Sequence, residues 1–141
     1  MSLFMGLFEP SQTKKASFED IQFAITHQDS YCIINTLHST EQDCLIKNTV
    51  SIQDEEKLVN DMLTLYETKT RRILIYGKHS NDTTVETKYK QLRGLGLSDV
   101  YIYVGGMFEW MLLQDIYGQN EFPTTKRVID ILRYKPSRII Q

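Results

Sequence analysis

Residues 72–111 read RILIYGKHSNDTTVETKYKQLRGLGLSDVYIYVGGMFEWM. Ile73, Leu74, Ile75 and Tyr76 form a short continuous apolar run that stops at Gly77, the pattern of a strand buried on both faces of a parallel sheet. A polar loop follows. From Thr84 the period changes: Val85, Tyr89 and Leu92 recur at helical spacing, and Gly94 and Gly96 close the helix. Residues 100–104, VYIYV, form a second buried strand, and Gly105-Gly106 turn it into an amphipathic run around Phe108, Trp110 and Leu113. Strand, loop, helix and strand in this order make a parallel α/β unit. Ligands in such sheets bind at the C-terminal ends of the strands, where a loop enters a helix N-terminus, and this singles out residues 77–83.

Outward from this unit, Ser17 stands where an N-cap should, its hydroxyl placed to accept from the amide of Asp20. Phe18, Ile21 and Ile25 then give one apolar face, which predicts a helix over residues 18–27. A strand is expected over 31–36, a polar irregular segment over 37–50, and a short edge strand over 49–52. The next helix, 54–66, carries Asp54, Glu55 and Glu56 in its first turn, where the positive helix end favours them, and Leu58, Met62 and Leu65 on its core stripe. Residues 115–123 read as a loop. Thr124 or Thr125 would cap a last helix with Val128, Ile131 and Leu132 turned inward, ended by Pro136. The sum is one α/β domain, residues 17–136, with three layers and a mainly parallel, roughly five-stranded sheet flanked by helices; residues 1–16 read as an arm and 137–141 as a tail.

Length and charge set further bounds. A chain of 141 residues suffices for one domain with a real core. Sixteen basic and eighteen acidic side chains leave it nearly neutral, so global charge points to neither a nucleic-acid nor a membrane partner. The apolar stretch Leu3, Phe4, Met5, Leu7 and Phe8 lacks the basic start and the length of a signal peptide or a membrane span. Lys126, Arg127, Arg133, Lys135 and Arg138 cluster near the C terminus, which more often makes a solvated face than a nucleic-acid site. Two cysteines, Cys32 and Cys44, suggest neither a disulfide framework nor a thiolate metal site; reduced thiols and a cytoplasmic location are expected.

The strand ending in loop 77–83, then Leu92 and Gly96, Val100-Tyr101, and above all Gly105-Gly106 with Trp110 four residues on, resemble the rhodanese-like (sulfurtransferase) domain. The departures are informative. Family members that carry chemistry place a cysteine directly after the central strand, where this chain has Gly77, and a basic residue closes their loop where this chain reads Asn81-Asp82-Thr83. The aspartate and arginine that brace the family's loop are replaced by Asn35 and Leu37, and its Gly-His-Ile element by Cys44-Leu45-Ile46.

A strand-to-helix loop aims several N–H groups at one point, and such a cradle attracts sulfate, phosphate or a thiolate. In a sulfurtransferase it lowers the pKa of the cysteine that carries sulfur as a persulfide. With Gly77 there, the covalent step is lost. The remaining Lys78, His79, Ser80, Asn81, Thr83 and Thr84 can meet an anion or an acidic side chain, with Asp82 opposing it; the plainer alternative is a solvated loop that keeps only the shape. Cys32 lies in a predicted core strand, where a cysteine behaves as a small apolar residue. Cys44, in a loop that can approach the active-site face, is the candidate for a relocated nucleophile. Ser80 lacks a positioned base, because adjacency to His79 does not place one. His27, His38 and His79 make no metal spacing, and the glycines are turn glycines outside any dinucleotide fingerprint, so neither a metal nor a cofactor is implied. Trp110 reads as a core anchor.

Two readings follow. One is a catalytically inactive rhodanese-like module that binds a protein partner or a small anion through residues 77–83 and the neighbouring 37–48. The other is a sulfurtransferase or related hydrolase with its nucleophile moved to Cys44.

Overall fold

Short runs rich in Ile, Val and Tyr become strands because branched and aromatic side chains fit a pleated, buried surface. The computed structural model describes residues 13–64 and 71–140. In it β1 (Lys15–Ala16), β2 (Tyr31–Asn35), β3 (Arg72–Tyr76) and β4 (Val100–Tyr103) form one sheet in the order β1-β4-β3-β2, with every pairing parallel. Four helices, α1 (Phe18–Ile25), α2 (Ile52–Thr64), α3 (Thr83–Gly94) and α4 (Gly106–Tyr117), supply the outer layers. Side chains alternate across the strands, so the sheet feeds two cores. Ile33, Leu74, Tyr76 and Tyr103 pack with α1, α4 and the C-terminal segment, where Trp110 and Tyr134 are fully buried. Cys32, Ile34, Ile73, Ile75, Val100 and Ile102 pack under α2 and α3. Each such large apolar side chain contributes about 1.5–3 kcal/mol by leaving water.

Asp20 accepts from the Ser17 N–H at 2.8 Å at the start of α1, and Gly96, at φ +106°, turns the chain after α3. The three-layer α/β architecture is as expected, with four strands instead of roughly five. The segment 49–52 contributes only a bridge between Ile33 and Thr49, with Val50 N–H donating to the Ile33 carbonyl at 2.8 Å, because the chain enters α2 directly at Ile52. That helix starts two residues before the expected position, and the expected end at Tyr66 lies outside the described residues. β1 comes from the segment expected to be an arm: Lys15 pairs with Ile102 and Ala16 with Tyr103.

The last predicted helix is a correction. Residues 124–136 are irregular apart from one 3₁₀ turn, Ile131–Tyr134, and Leu132 is 62% exposed instead of inward. The threonines expected to cap are used otherwise. Thr125 N–H donates to the Leu45 carbonyl at 2.8 Å, Thr124 bridges Ile46, and Thr124 Oγ1 donates to the Lys126 carbonyl at 2.8 Å. The segment therefore docks on residues 45–47, with Tyr134 as its buried anchor. No helix among the described residues is long and apolar enough to cross a membrane.

Candidate functional site

β3 ends at Tyr76, and the loop that follows passes through the buried Gly77 before α3 begins at Thr83. Two forces hold it. From beneath, α4 donates its first amides upward: Met107 N–H to the Gly77 carbonyl and Phe108 N–H to the Lys78 carbonyl, both at 2.9 Å. Gly106 makes this approach possible; at φ +64° it would place a Cβ 2.8 Å from the Gly77 oxygen, so only glycine fits. From within, Asp82 acts as the N-cap of α3. Its Oδ1 accepts from Thr84 N–H at 3.0 Å and from Thr84 Oγ1 at 2.6 Å, and its Oδ2 accepts from Lys78 N–H at 2.9 Å.

The cap reaches across the end of β3. A Cβ on Gly77 would lie 2.5 Å from Asp82 Oδ2, in contact with Val85 Cγ2, and 3.0 Å from Thr36 Oγ1. The carboxylate thus takes up two loop amides, those of Lys78 and Thr84, and lies against the position that a side chain at residue 77 would occupy. Partial burial pushes the Asp82 carboxyl up, but the bonds from Thr84 Oγ1, Lys78 N–H and Thr84 N–H, helped by His79, outweigh it and hold the group below the ordinary carboxylate range. Other loop amides are spent internally too: Asn81 N–H on His79 Nδ1 at 3.1 Å and Asp82 N–H on the His79 carbonyl at 3.1 Å.

A groove of about 520 Å³ opens beside the loop, with Val85, Ile102 and Val104 as apolar lining and His79, Asp82, Glu86 and Lys15 among its polar groups. Ser80 also faces it. On the other side Lys78 Nζ pairs with Glu41 at 3.3 Å, and Arg133 makes a bidentate pair with Asp43. Glu41 and Asp43 are absent from the sequence reading, and Arg133 entered it only as part of the basic C-terminal cluster; nothing local marks the pairing, since residues 43 and 133 meet only through the docked C-terminal segment. Gln42 is likewise absent from the sequence reading: Asn35 Oδ1 accepts from Gln42 Nε2 at 2.7 Å and from Leu37 N–H at 3.0 Å, a neutral clamp at the C-terminal end of β2.

Of the expected site residues, Gly77 to Asp82 form one continuous loop and Thr83 opens α3, with Ser80, Asn81 and Thr83 exposed. Cys44 does not join them at the surface. It is fully buried, and its Sγ donates to the Lys126 carbonyl at 3.2 Å. Cys32 is buried under α2 and α3, and burial pushes its thiol up to about 11 against the opposing influence of Arg71. Ser80 and His79 form no serine–base pair, because His79 Nδ1 is taken by the Asn81 amide. His27 lies exposed, stacked on Phe23 at 3.7 Å, and His38 caps the 3₁₀ turn at Thr40.

Comparison with known proteins agrees with this architecture. The single-domain sulfurtransferase of Saccharomyces cerevisiae superposes with a TM-score of 0.55 at 15% identity, over 82% of this chain and all (100%) of that one. A yeast protein tyrosine phosphatase of the rhodanese family gives 0.57 at 14% identity, over 83% of this chain and 94% of that one. The As-Sb reductase of Leishmania major gives 0.55 at 17%, over 75% and 79% respectively. At such identities these likenesses show the fold alone. No curated protein matches the sequence. The sequence profile of the Rhodanese-like domain does match, over residues 16–113, which is most of the sheet and all four helices up to the last turn of α4, and the chain belongs to the rhodanese-like domain family.

Proposed function

We propose that this chain is a catalytically inactive rhodanese-like module that works by binding a protein partner through residues 77–83 and the neighbouring 37–48 segment. The observation that carries the reading is the pairing of Gly77 with Asp82: no nucleophile follows the central strand, and a carboxylate fixed by three hydrogen bonds fills the place where a thiolate or a small anion would sit. That fixed negative charge argues for a protein partner over a free anion. The adjoining groove combines apolar lining from Val85, Ile102 and Val104 with Lys15, His79, Asp82 and Glu86, a mixture that suits a peptide segment better than a free anion.

The test is intact-mass analysis after incubation with thiosulfate, run beside a sulfur-transfer assay and a phosphate and sulfate titration. The expected result is no added sulfur, no turnover and no anion-dependent stabilisation. A photo-crosslinking residue at Ser80 should capture a defined partner that one at Lys90, on the exposed side of α3, does not. A single added sulfur that disappears in Cys44→Ala would establish the relocated nucleophile and overturn the proposal.

A further inference from the structure

Residues 123–134 are tied repeatedly to residues 41–47. Lys47 N–H donates to the Pro123 carbonyl at 3.1 Å, Thr125 N–H to the Leu45 carbonyl at 2.8 Å, and the Cys44 thiol to the Lys126 carbonyl at 3.2 Å. Arg133 grips Asp43 through two guanidinium nitrogens, and Lys126 Nζ lies 4.0 Å from the same carboxylate. The grip is light at its far end. From Thr125 to Ile140 only Tyr134 is buried, and its hydroxyl finds no hydrogen bond among the described residues, because the neighbouring Cys44 thiol gives its proton to the Lys126 carbonyl. A segment with one buried side chain and partly exposed ion pairs belongs to the low-stability end of a fold. An unpaired buried hydroxyl weakens its anchor further.

One acid joins this segment to the candidate loop. Glu41 Oε2 lies 3.3 Å from Lys78 Nζ and 4.0 Å from Arg133 Nε, so the loop and the C-terminal segment share a single carboxylate. We infer that residues 123–134 form a strap that opens ahead of the rest of the fold and regulates the binding face proposed above. Docked, the strap holds residues 41–47 beside loop 77–83; open, it releases them and uncovers Cys44. The inference rests on that reading of the face for its consequence: a partner that touches both segments binds the docked form, and whatever fastens the strap tightens the partner by the same factor. Glu41 sets the sign of the loop's influence. Lys78 draws on the carboxylate that Arg133 uses, so a partner acid that engages Lys78 returns Glu41 to Arg133 and fastens the strap.

The two thiols read this in the free chain. A disulfide reagent at neutral pH reaches Cys44 when the strap opens, and Cys32 when the core under α2 and α3 opens. Relative to the urea-unfolded chain, Cys44 is expected to be less protected than Cys32 by about tenfold or more, with a weaker dependence on subdenaturing urea. Tyr134→Phe removes the unpaired hydroxyl and slows Cys44 labelling by about threefold or more. Arg133→Gln speeds it by a similar factor, and Lys78→Met slows it by about twofold, an effect that disappears in the Arg133→Gln chain. Equal protection and equal urea dependence of the two thiols overturn the inference, as does faster labelling in Tyr134→Phe or an unchanged rate in Lys78→Met. Absence of a partner crosslinked at Ser80 overturns the reading of the face and leaves these rates as they are, so the two failures are told apart.

Discussion

Asp82 and Gly77 depend on each other: the Asp82 carboxylate reaches Lys78 N–H only because residue 77 has no side chain, and a Cβ there would lie 2.5 Å from Oδ2. The loop is therefore fitted to a residue without a side chain at 77, and any side chain placed there must displace a neighbour. Gly77→Cys forces out either the capping carboxylate or Val85, at about 1–3 kcal/mol for overpacking. Asp82→Ser in the same chain keeps a capping oxygen, relieves the contact with the carboxylate while leaving that with Val85, and frees the Lys78 amide. Urea denaturation of both singles and the double is expected to show a favourable coupling of roughly 0.5–3 kcal/mol. Strict additivity would mean that the two side chains do not compete for one space.

The charge of Asp82 makes a separate, pH-dependent contribution. Its folded-state pKa lies below the unfolded value of about 3.9. Stability from a depressed carboxylate is fully present above the unfolded pKa and is lost as pH falls through the folded pKa. Asp82→Asn keeps the cap but places an amide against the Lys78 N–H, and the unsatisfied donor is expected to cost about 1–3 kcal/mol at neutral pH. That difference should stay flat from pH 8 to pH 5 and shrink below about pH 4. A difference that grew on acidification would contradict the assignment.

Gly106 and Gly94 are both followed or preceded by helix, yet substitution should act on them in opposite directions. Gly106→Ala imposes a side chain at φ +64° and drives a methyl into the Gly77 carbonyl, so it should destabilise by about 1–3 kcal/mol. Gly94, the last residue of α3, has nothing within 4 Å of its would-be Cβ, so Gly94→Ala should be neutral or stabilise by up to about 1 kcal/mol. Thermal denaturation separates them. If Gly106→Ala were as harmless as Gly94→Ala, α4 would not be what holds the loop.

The contrast between these glycines also shows what the sequence could reveal. Its apolar runs and helical stripe were enough for the central β3-α3-β4 unit, because burial on both faces leaves a continuous hydrophobic signature that no local exception disturbs. Gly77 was legible as the glycine that ends β3, but its partner was not: Asp82 reads equally as a solvated loop acid, and only the three-dimensional turn brings its carboxylate back over residue 77. β1 escaped notice because two residues, Lys15 and Ala16, carry no periodicity and owe their strand conformation to β4. The C-terminal segment misled for the opposite reason. Val128, Ile131 and Leu132 have helical spacing, but the backbone at the expected helix start, residues 123–125, bonds to residues 45–47 instead, and only Ile131–Tyr134 closes a 3₁₀ turn.

The two thiols give the sharpest check on the enzymatic alternative. A relocated nucleophile needs an accessible thiolate, whereas Cys44 is sealed beneath the C-terminal segment and Cys32 lies in the core under α2 and α3. Both should label with a disulfide reagent only when the structure opens. Protection of roughly a thousandfold or more relative to the urea-unfolded chain is expected, corresponding to openings of about 4 kcal/mol. Because burial pushes Cys32 up to about 11, its labelling should keep rising with pH beyond about 8.5, where an ordinary thiol begins to level off. Mass mapping distinguishes the two sites. Rapid modification of Cys44 in the native chain at neutral pH would remove the main structural objection to catalysis at that residue.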